Sequence, residues 1–409
     1  SEPEPCASQS LVLVRACRPS QSLVLVAVSC ALCAAIHGSM GSSPALMGAA
    51  AVGAAAAGYY LMRSPKQLIL RASSSQAREV LTSIPRYFRG LSNAKERFRF
   101  GIITDVQYAN IDDGASYHGI PRFYRNSLLS LTEAVDDWVA LEARDPSKRM
   151  SFAIHLGDVV DGKCPQEQSE QALKSVLAQF KRLACRTYHI IGNHCLYNFP
   201  RSYLNSVLEI HGPNGGSYYS FSPSPGWRVV VLDTFDVSLL GWPQGHPHTQ
   251  IATNILGLMN PNENKNMPDG LEGPARRFVG FGGGVGAPQL AWLKRTLARA
   301  GRQGEKVLVM SHCPVMPGTA APVCLMWNYE EVLEVLRAAP RGCVVATFSG
   351  HTHEDGYLRD DWGIHHRCLV APLETPPGTA AHGQVVVYGD RLEIEGVGAL
   401  GSALYPFSS

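Results

Sequence analysis

Five short apolar segments of this chain end in the same kind of polar group, and this recurrence limits the folds that the chain can adopt. The first is the run FRFGIIT at 98–104, which Asp105 follows directly. Apolar runs of this length, bounded by Gly and polar residues, are typical of buried strands. The groups that close the five runs are Asp105-Val106-Gln107, Gly157-Asp158 with Asp161-Gly162, Gly192-Asn193-His194, Ser311-His312 and Gly350-His351-Thr352-His353.

Helical patterns separate these runs. Within 122–142 the apolar residues recur every three or four positions, and 167–184, 288–300 and 328–338 are also predicted helices. Strand–helix alternation predicts a layered α/β fold, in which polar ligands gather beyond the strand ends. A hairpin is predicted from 218–221 and 228–232, and closing strands at 366–371, 384–388 and 391–397. The Pro-, Asn- and Gly-rich segment 236–286 is predicted to be a long loop that selects the substrate.

The first 97 residues form a separate region. They carry ten Lys and Arg against four Asp and Glu, and no acidic residue lies between Glu4 and Glu79. Three interpretations remain open: an organelle leader, a disordered or artefactual extension, or a membrane anchor. Membrane contact is expected only through 23–62, where the apolar runs 23–36 and 45–62 are shorter than the roughly 20 residues of a comfortable span. The catalytic region is expected in the cytoplasm, or in a plastid or mitochondrion.

Charge and cysteine usage exclude some classes of function. Residues 1–97 have a net charge of +6, so 98–409 sum to −4 within a total of +2. A mildly acidic region does not suit non-specific nucleic-acid binding, and no nucleic-acid partner is expected. Eleven cysteines are spread thinly without zinc-finger spacing, which favours reduced thiols.

The polar groups at the strand ends suit a pair of divalent cations. Two such ions about 3.5–4 Å apart need a bridging anion and several oxygen or imidazole donors. Each group taken alone is more typical of a loop cap or a satisfied core histidine. Five groups that each follow an apolar strand favour a metal centre. The two histidines of 351–353 could reach different ions only from a bent loop, because alternation in a strand would point them the same way.

These five motifs resemble the calcineurin-like metallophosphoesterase superfamily, whose pattern is D-x-H/Q, G-D-x-x-D-G, G-N-H, H and G-H-x-H. The resemblance spans 98–405 and implies a four-layer αββα sandwich with a dinuclear metal site at the strand ends. It assigns Asp105, Gln107, Asp158 and His353 to one metal, with Asp158 bridging. It assigns Asn193, His312 and His351 to the other.

The same resemblance assigns two catalytic roles. His194 matches the histidine that stabilises the transition state or protonates the leaving oxygen, and Asp161 would orient it. Gln107 stands where many members have His, which makes the first site richer in oxygen and favours Mn²⁺ or Mg²⁺ over Zn²⁺. Two divalent ions, Mn²⁺ first, are therefore the expected cofactors.

A finer resemblance is to the manganese-dependent ADP-ribose/CDP-alcohol diphosphatase branch. This resemblance depends on the segments Asp105-Val-Gln107-Tyr-Ala, Tyr124-Arg-Asn-Ser127 and Gly192-Asn-His-Cys-Leu-Tyr197-Asn198, among others. It implies hydrolysis of the pyrophosphate of ADP-ribose, CDP-choline, CDP-ethanolamine or CDP-glycerol by a metal-bridging hydroxide. The expected partners are such small molecules, and a monomer is favoured.

Five arginine and aromatic side chains are candidates to contact the substrate. Arg276 and Arg277 are candidates for a phosphate clamp, and Tyr197, Trp242 and Phe278 are candidates to stack on a base.

One alternative function is a phosphomonoesterase or cyclic-nucleotide phosphodiesterase of the same superfamily. Another is a metal-binding scaffold without catalysis, which the presence of His194 disfavours because a scaffold needs no leaving-group acid.

Overall fold

The computed structural model describes residues 94–407, in which two six-stranded sheets lie face to face. The first sheet runs, in spatial order, through β14 (Ala403–Pro406), β13 (Arg391–Gly398), β12 (Ala381–Val387), β1 (Phe98–Ile103), β4 (Phe152–His155) and β5 (Arg186–His189). The second runs through β10 (Gly356–Arg359), β11 (His365–Cys368), β9 (Val344–Ser349), β8 (Lys306–Met310), β7 (Trp227–Val231) and β6 (Tyr219–Phe221). A two-residue pair, β2 (Gly114–Ala115) and β3 (Pro121–Arg122), stands apart from both.

The inner faces of the two sheets form one apolar core. Phe100 of the first sheet stacks on Phe152 at 4.7 Å between ring centroids and meets Phe348 of the second sheet edge-on at 6.4 Å. All three rings are almost fully buried. Inward-facing residues therefore alternate with residues that face the helices, as expected for strands covered on both sides.

Helices cover the outer faces of the sheets. The helices of residues 94–407 are α1 (Tyr124–Arg144), α2 (Gln166–Phe180), α3 (Asn193–Asn198), α4 (Arg201–Val207), α5 (Pro247–Met259), α6 (Ala287–Arg302) and α7 (Tyr329–Arg337), of which α5 packs in a separate cluster away from the sheets. In α1 the buried residues Leu131, Val135 and Trp138 follow the helical spacing seen in the sequence. A second apolar cluster joins α1, α2, α6 and α7 to the outward side chains of the strands. Residues 94–407 thus have the four layers of an αββα sandwich, as predicted.

Parallel pairing places the polar groups together. Strand β4 pairs in parallel with β1 and with β5, and β8 pairs in parallel with β9. The carboxyl ends of the strands that precede all five polar groups therefore meet at one edge of each sheet. Because the two sheets are stacked, these edges lie over one another and define a single site.

Several predicted elements differ from the structure. The hairpin of β6 and β7 is confirmed by its antiparallel register. Segment 236–286 is not a continuous loop, because it contains α5, which Pro247 and the His246 side chain begin. The strands β2, β3, β10 and β14 and the helices α3 and α4 were also missed.

The predictions for the N-terminal region lie outside the described residues. These are the leader, extension or anchor at 1–97, except for its last four residues, and the apolar runs 23–36 and 45–62. Within 94–407, no helix combines the length and apolar character needed to cross a bilayer. The seven cysteines of this part of the chain are free thiols.

Candidate metal centre

The loops that follow the strands hold their polar residues in an unusual backbone conformation. Of the seven non-glycine residues in 94–407 with a positive φ, five belong to the predicted ligand set. A left-handed backbone costs about 1–3 kcal/mol at such residues and persists only where the surroundings enforce it. The fold therefore directs these side chains at the expense of local stability. They are Asp105 (φ 48°), Gln107 (42°), Asp158 (60°), His351 (67°) and His353 (62°).

Two glycines allow the loops to approach one another closely. A Cβ at Gly192 would collide with the Asp158 carboxylate, and a Cβ at Gly350 would collide with Thr104 and the Asp105 carboxylate. The predicted use of glycine at these strand ends thus has a steric basis. Any side chain here would displace a carboxylate from the centre of the site.

One half of the site joins Asp105, Gln107, Asp158 and His353. The Nε2 atom of His353 lies 3.3 Å from Asp105 Oδ1 and 2.8 Å from Gln107 Nε2. The same amide nitrogen of Gln107 lies 3.3 Å from Asp105 Oδ1 and 3.2 Å from Asp158 Oδ2. Asp105, Gln107 and Asp158 are buried, His353 is half-buried, and the polar atoms of all four face a common point.

The other half shares Asp158 with two histidines. His312 Nε2 lies 3.3 Å from Asp158 Oδ2 and 3.2 Å from His351 Nδ1. One ligand atom of each of these three residues lies within 4.8 Å of the other two, a spacing that a metal ion can fill. The neighbouring amide of His194 donates to Asp158 Oδ1 at 2.8 Å, which brings the loop of Asn193 against the same carboxylate.

Unsatisfied polar atoms indicate that this set fits cations. Gln107 Oε1, Asn193 Oδ1 and His351 Nε2 are buried, and none meets a hydrogen-bond partner among residues 94–407. Burying such an atom without a partner costs roughly 1–3 kcal/mol, so a ligand that accepts its lone pair is expected. Two carboxylates, two amides and three imidazoles form a mixed oxygen and nitrogen donor set, which suits Mn²⁺.

Attraction between the carboxylates and the histidines determines which groups of the centre carry a proton. Burial opposes the charged form of His312, but the carboxylates of Asp158 and Asp105 outweigh it and raise its pKa to about 9. Burial also opposes the charged form of His353, but the hydrogen bonds to Asp105 and Glu374 outweigh it and raise its pKa to about 10. Burial and the charge of His312 lower the pKa of His351 to about 3. The pKa values of both carboxylates are lowered, because these histidines outweigh the effect of burial.

His194 stands at the rim with a defined tautomer. The amide of Gly162 donates to His194 Nδ1 at 2.8 Å, which assigns the ring proton to Nε2. Asp161 Oδ2 lies 3.2 Å from the same Nδ1 but accepts no hydrogen bond within the described region. Asp161 instead shapes the turn, since its Oδ1 accepts the amide of Lys163 at 2.7 Å. Gly162 is therefore the hydrogen-bond partner of Nδ1 in the neutral ring, and a protonated Nδ1 can donate to Asp161 Oδ2 instead; the orienting role of Asp161 stays a prediction.

Comparison with known proteins assigns this fold and site to a family. The model of the calcineurin-like phosphoesterases matches residues 98–355, which is more than half of the chain. The chain belongs to the calcineurin-like phosphoesterase family. The stacked sheets with helices outside are thus the fold of this family, as the sequence motifs predicted.

Relatives of high similarity share one name. An Arabidopsis thaliana protein named manganese-dependent ADP-ribose/CDP-alcohol diphosphatase is 47% identical over 299 residues, covering 73% of this chain and 94% of its own. A Homo sapiens protein of the same name is 39% identical over 325 residues, covering 75% and 92%. A crystal structure of a dimetal phosphatase from Danio rerio superposes with a TM-score of 0.72 at 34% identity, covering 77% of this chain and all of that one.

The two arginines predicted to clamp a phosphate hydrogen-bond to other groups of this phosphoesterase. Arg277 donates from Nε to the Trp327 carbonyl at 2.6 Å, from Nη1 to the Pro274 carbonyl and from Nη2 to Glu330 at 2.8 Å. Its three nitrogens thus hold the loop after α5 against α7. Arg276 reaches the carbonyl of Leu271. The guanidinium of Arg277 is thus fully engaged, whereas Arg276 makes this one contact within residues 94–407 and its role in a phosphate clamp stays a prediction.

Among the three aromatic candidates, Tyr197 lies nearest the site. Its ring centroid is 5.3 Å from that of His194, and its hydroxyl is 3.5 Å from Asn193 Nδ2. It lines a cavity of about 190 Å³ with Leu239, Leu240, Lys265, Asn266 and Gly280. The other two aromatic candidates pack within the protein: Trp242 stacks on His246 at 4.2 Å, and Phe278 is buried under Arg277.

Two charged residues of the site were missed by sequence analysis. Glu374 lies in the 3₁₀ turn Pro372–Glu374, and Arg122 is in β3. Glu374 Oε1 lies 2.9 Å from His353 Nδ1 and 3.0 Å from Arg122 Nε. Neither residue adjoins a recognisable motif, so no signal in the sequence points to them.

Proposed function

We propose that this phosphoesterase hydrolyses the pyrophosphate bond of ADP-ribose and CDP-alcohols with bound Mn²⁺. The observation that carries the proposal is the convergence of residues from five loops on one buried centre with unsatisfied ligand atoms. The names of the relatives support both the substrate class and manganese.

Seven residues would hold two ions. Asp105, Gln107 and His353 would contribute to one, Asn193, His312 and His351 to the other, and Asp158 to both. Cations in this site would supply Lewis-acid stabilisation of phosphoryl oxygens and lower the pKa of a nucleophilic water. Because the carboxylates raise the pKa values of His312 and His353, ion binding would displace the protons that these two histidines hold near neutral pH.

His194 performs the proton transfer of this chain. Hydrolysis adds water to one phosphorus and breaks the bond between that phosphorus and the bridging oxygen. The bridging oxygen leaves as part of a phosphate, and a proton must neutralise the negative charge that develops on it. A neutral ring that gave up its only N–H would become an anion, so the ring acts as the imidazolium. It passes the Nε2 proton to that oxygen while its Nδ1–H is held by Asp161 Oδ2, 3.2 Å away. Asp161, buried beneath the ring, stabilises the positive charge when the imidazole takes up a proton from solvent.

The substrate partners are small molecules, and we include in the proposal a monomeric state without a nucleic-acid partner. The cavity at Tyr197 is adjacent to His194 and offers both apolar walls and polar groups from Lys265 and Asn266. A part of the substrate beyond the pyrophosphate would fit there.

Product analysis tests this function. The metal-freed 409-residue chain is incubated with Mn²⁺ and ADP-ribose, CDP-choline, a phosphomonoester or a cyclic nucleotide. We expect AMP with ribose 5-phosphate, and CMP with phosphocholine, in a Mn²⁺-dependent reaction. Inorganic phosphate from the monoester, with both pyrophosphates left intact, would instead establish a phosphomonoesterase. Failure with all four substrates would refute the proposal.

A further inference from the structure

Two of the site histidines are held through their second ring nitrogen by different groups. His312 Nδ1 contacts the carbonyl oxygen of Leu156 at 2.8 Å, whereas His353 Nδ1 contacts the carboxylate of Glu374 at 2.9 Å. A metal-binding histidine commonly donates its second N–H to such a group, which fixes the tautomer and the ring orientation. A carboxylate also adds negative charge, so the two histidines are not equivalent.

Glu374 is itself held in place. The turn that carries it is tied to both of its partners by the backbone, because Phe123 N donates to Leu373 O at 2.8 Å and Ala371 N donates to His353 O at 3.3 Å. The Glu374 side chain is 11% exposed, and Arg122 binds the same Oε1 from the other side. The position of the carboxylate is thus determined before any ion binds.

Arg122 extends this arrangement toward His194. Its Nη1 lies 3.8 Å from Asp161 Oδ2, the oxygen that is 3.2 Å from His194 Nδ1. Arg122 therefore stands between two carboxylates, one behind His353 and one behind His194. It offsets the repulsion between them and keeps Glu374 ionised in a half-buried setting.

We propose that Glu374 is a positioning residue that raises the affinity of the ion bound by His353 and leaves the other ion nearly unaffected. Accepting the Nδ1 proton leaves the lone pair of His353 Nε2 directed at Asp105 and Gln107, where that ion would bind. The ring of His312 is oriented independently by Leu156. This inference rests on the proposed two-ion function, but it concerns metal affinity and not the identity of the substrate.

Metal titration tests the inference without any substrate. Mn²⁺ is added to the metal-freed full chain, and free Mn²⁺ is followed by electron paramagnetic resonance, with calorimetry as a second measure. We expect two ions per wild-type chain. In Glu374→Ala one site weakens about 10–100-fold, and the other changes by less than about 3-fold. Glu374→Gln, whose amide oxygen still accepts the Nδ1 proton, shows a smaller loss at the same site.

A matched control is available at Glu305. Its carboxylate binds Arg228 at 2.7 and 3.0 Å and is 12% exposed, so it resembles Glu374 in burial and pairing, yet it adjoins β8 at the end opposite the metal centre. Glu305→Gln should bind both ions with wild-type affinity. Circular dichroism verifies that each variant is folded, and if Glu374→Ala does not fold, Glu374→Gln decides alone.

The outcomes separate this inference from the proposed function. Wild-type affinity at both sites in Glu374→Gln, or an equal loss at both sites, would overturn it. A wild-type chain that binds two Mn²⁺ but cleaves neither ADP-ribose nor CDP-choline would refute the proposed function, and selective weakening in the Glu374 variants would still support the positioning role.

Discussion

Asp158 presents its two carboxylate oxygens to different partners. Oδ2 lies between Gln107 and His312, and Oδ1 accepts the amide of His194. Asp158→Asn preserves the size of the side chain and removes its charge. Because loss of an outer partner of a metal ligand already costs about 10–100-fold, loss of a shared ligand should lower activity by more than about 100-fold and remove at least one Mn²⁺. Activity and metal content are measured on the same sample.

The control for this substitution is Asp360→Asn. Asp360 is buried and pairs with Arg337 at 3.1 Å in the turn between β10 and β11, away from the centre. The Asp360→Asn variant should retain both ions and its activity, even if its stability is lower than that of the wild type. Full activity in Asp158→Asn would end the assignment of a shared carboxylate.

His194 differs from the proposed ligands because its role begins after the substrate binds. His194→Ala should retain both Mn²⁺ ions and lose kcat by about 10²–10⁴-fold, the usual contribution of a general acid. Metal titration and steady-state kinetics distinguish this from a ligand defect, and exposed His211→Ala serves as the control. A variant that turns over like the wild type would show that another group protonates the leaving oxygen.

At the scale of elements, the loop between β5 and α3 depends on Gly192. In Gly192→Ala the new Cβ would meet the Asp158 carboxylate and push it from the centre. We expect loss of Mn²⁺ affinity by at least about 10-fold while the circular dichroism spectrum is retained. The control is Gly257→Ala in α5, where a Cβ meets nothing within 4 Å and helix propensity should add up to about 1 kcal/mol of stability. Unchanged affinity in Gly192→Ala would show that the loop can shift.

The elements also show what the sequence can predict. Each predicted strand of the two inner sheets exists, because short apolar runs that end in Gly and polar residues carry a local signal. Helix α5 was missed because Pro, Asn and Gly surround it and outweighed the helical spacing of Ile251, Ile255 and Met259. Predicted ligands could be found from motifs, whereas Glu374 could not. It reaches His353 only through the pairing of distant segments, which no local pattern encodes.

The tautomer of His194 was likewise beyond the sequence. The motif pairs it with Asp161, and the two residues are indeed near one another, but the turn places the Gly162 amide in the hydrogen-bonding position. Such a difference arises from the path of the backbone through the turn. Residue types and spacing do not determine it.

At the scale of the whole molecule, buried histidines make stability depend on pH. His189 of β5 and His155 of β4 lie 6.0 Å apart between ring centroids, covered by Phe180 of α2. Burial lowers the pKa of His189 to about 3 and that of His155 to about 4, from an ordinary value of 6.5. Below pH 6.5 the unfolded chain binds protons that the native state does not, so stability is full above this pH and falls as the pH approaches 4.

Urea unfolding at pH 7.5 and pH 5 measures this loss, with EDTA present so that metal release does not contribute. Each buried histidine should cost about 2 kcal/mol at pH 5, since one pKa unit corresponds to about 1.4 kcal/mol. Replacing His189 by Phe, which can pack against Phe180, should reduce the difference between the two pH values by about that amount. The same change at exposed His211 should leave the difference unaltered. If His189→Phe lost as much stability at pH 5 as the wild type, the native protein would be accommodating a charged imidazole behind the first sheet, and acid sensitivity would have to originate in the metal centre.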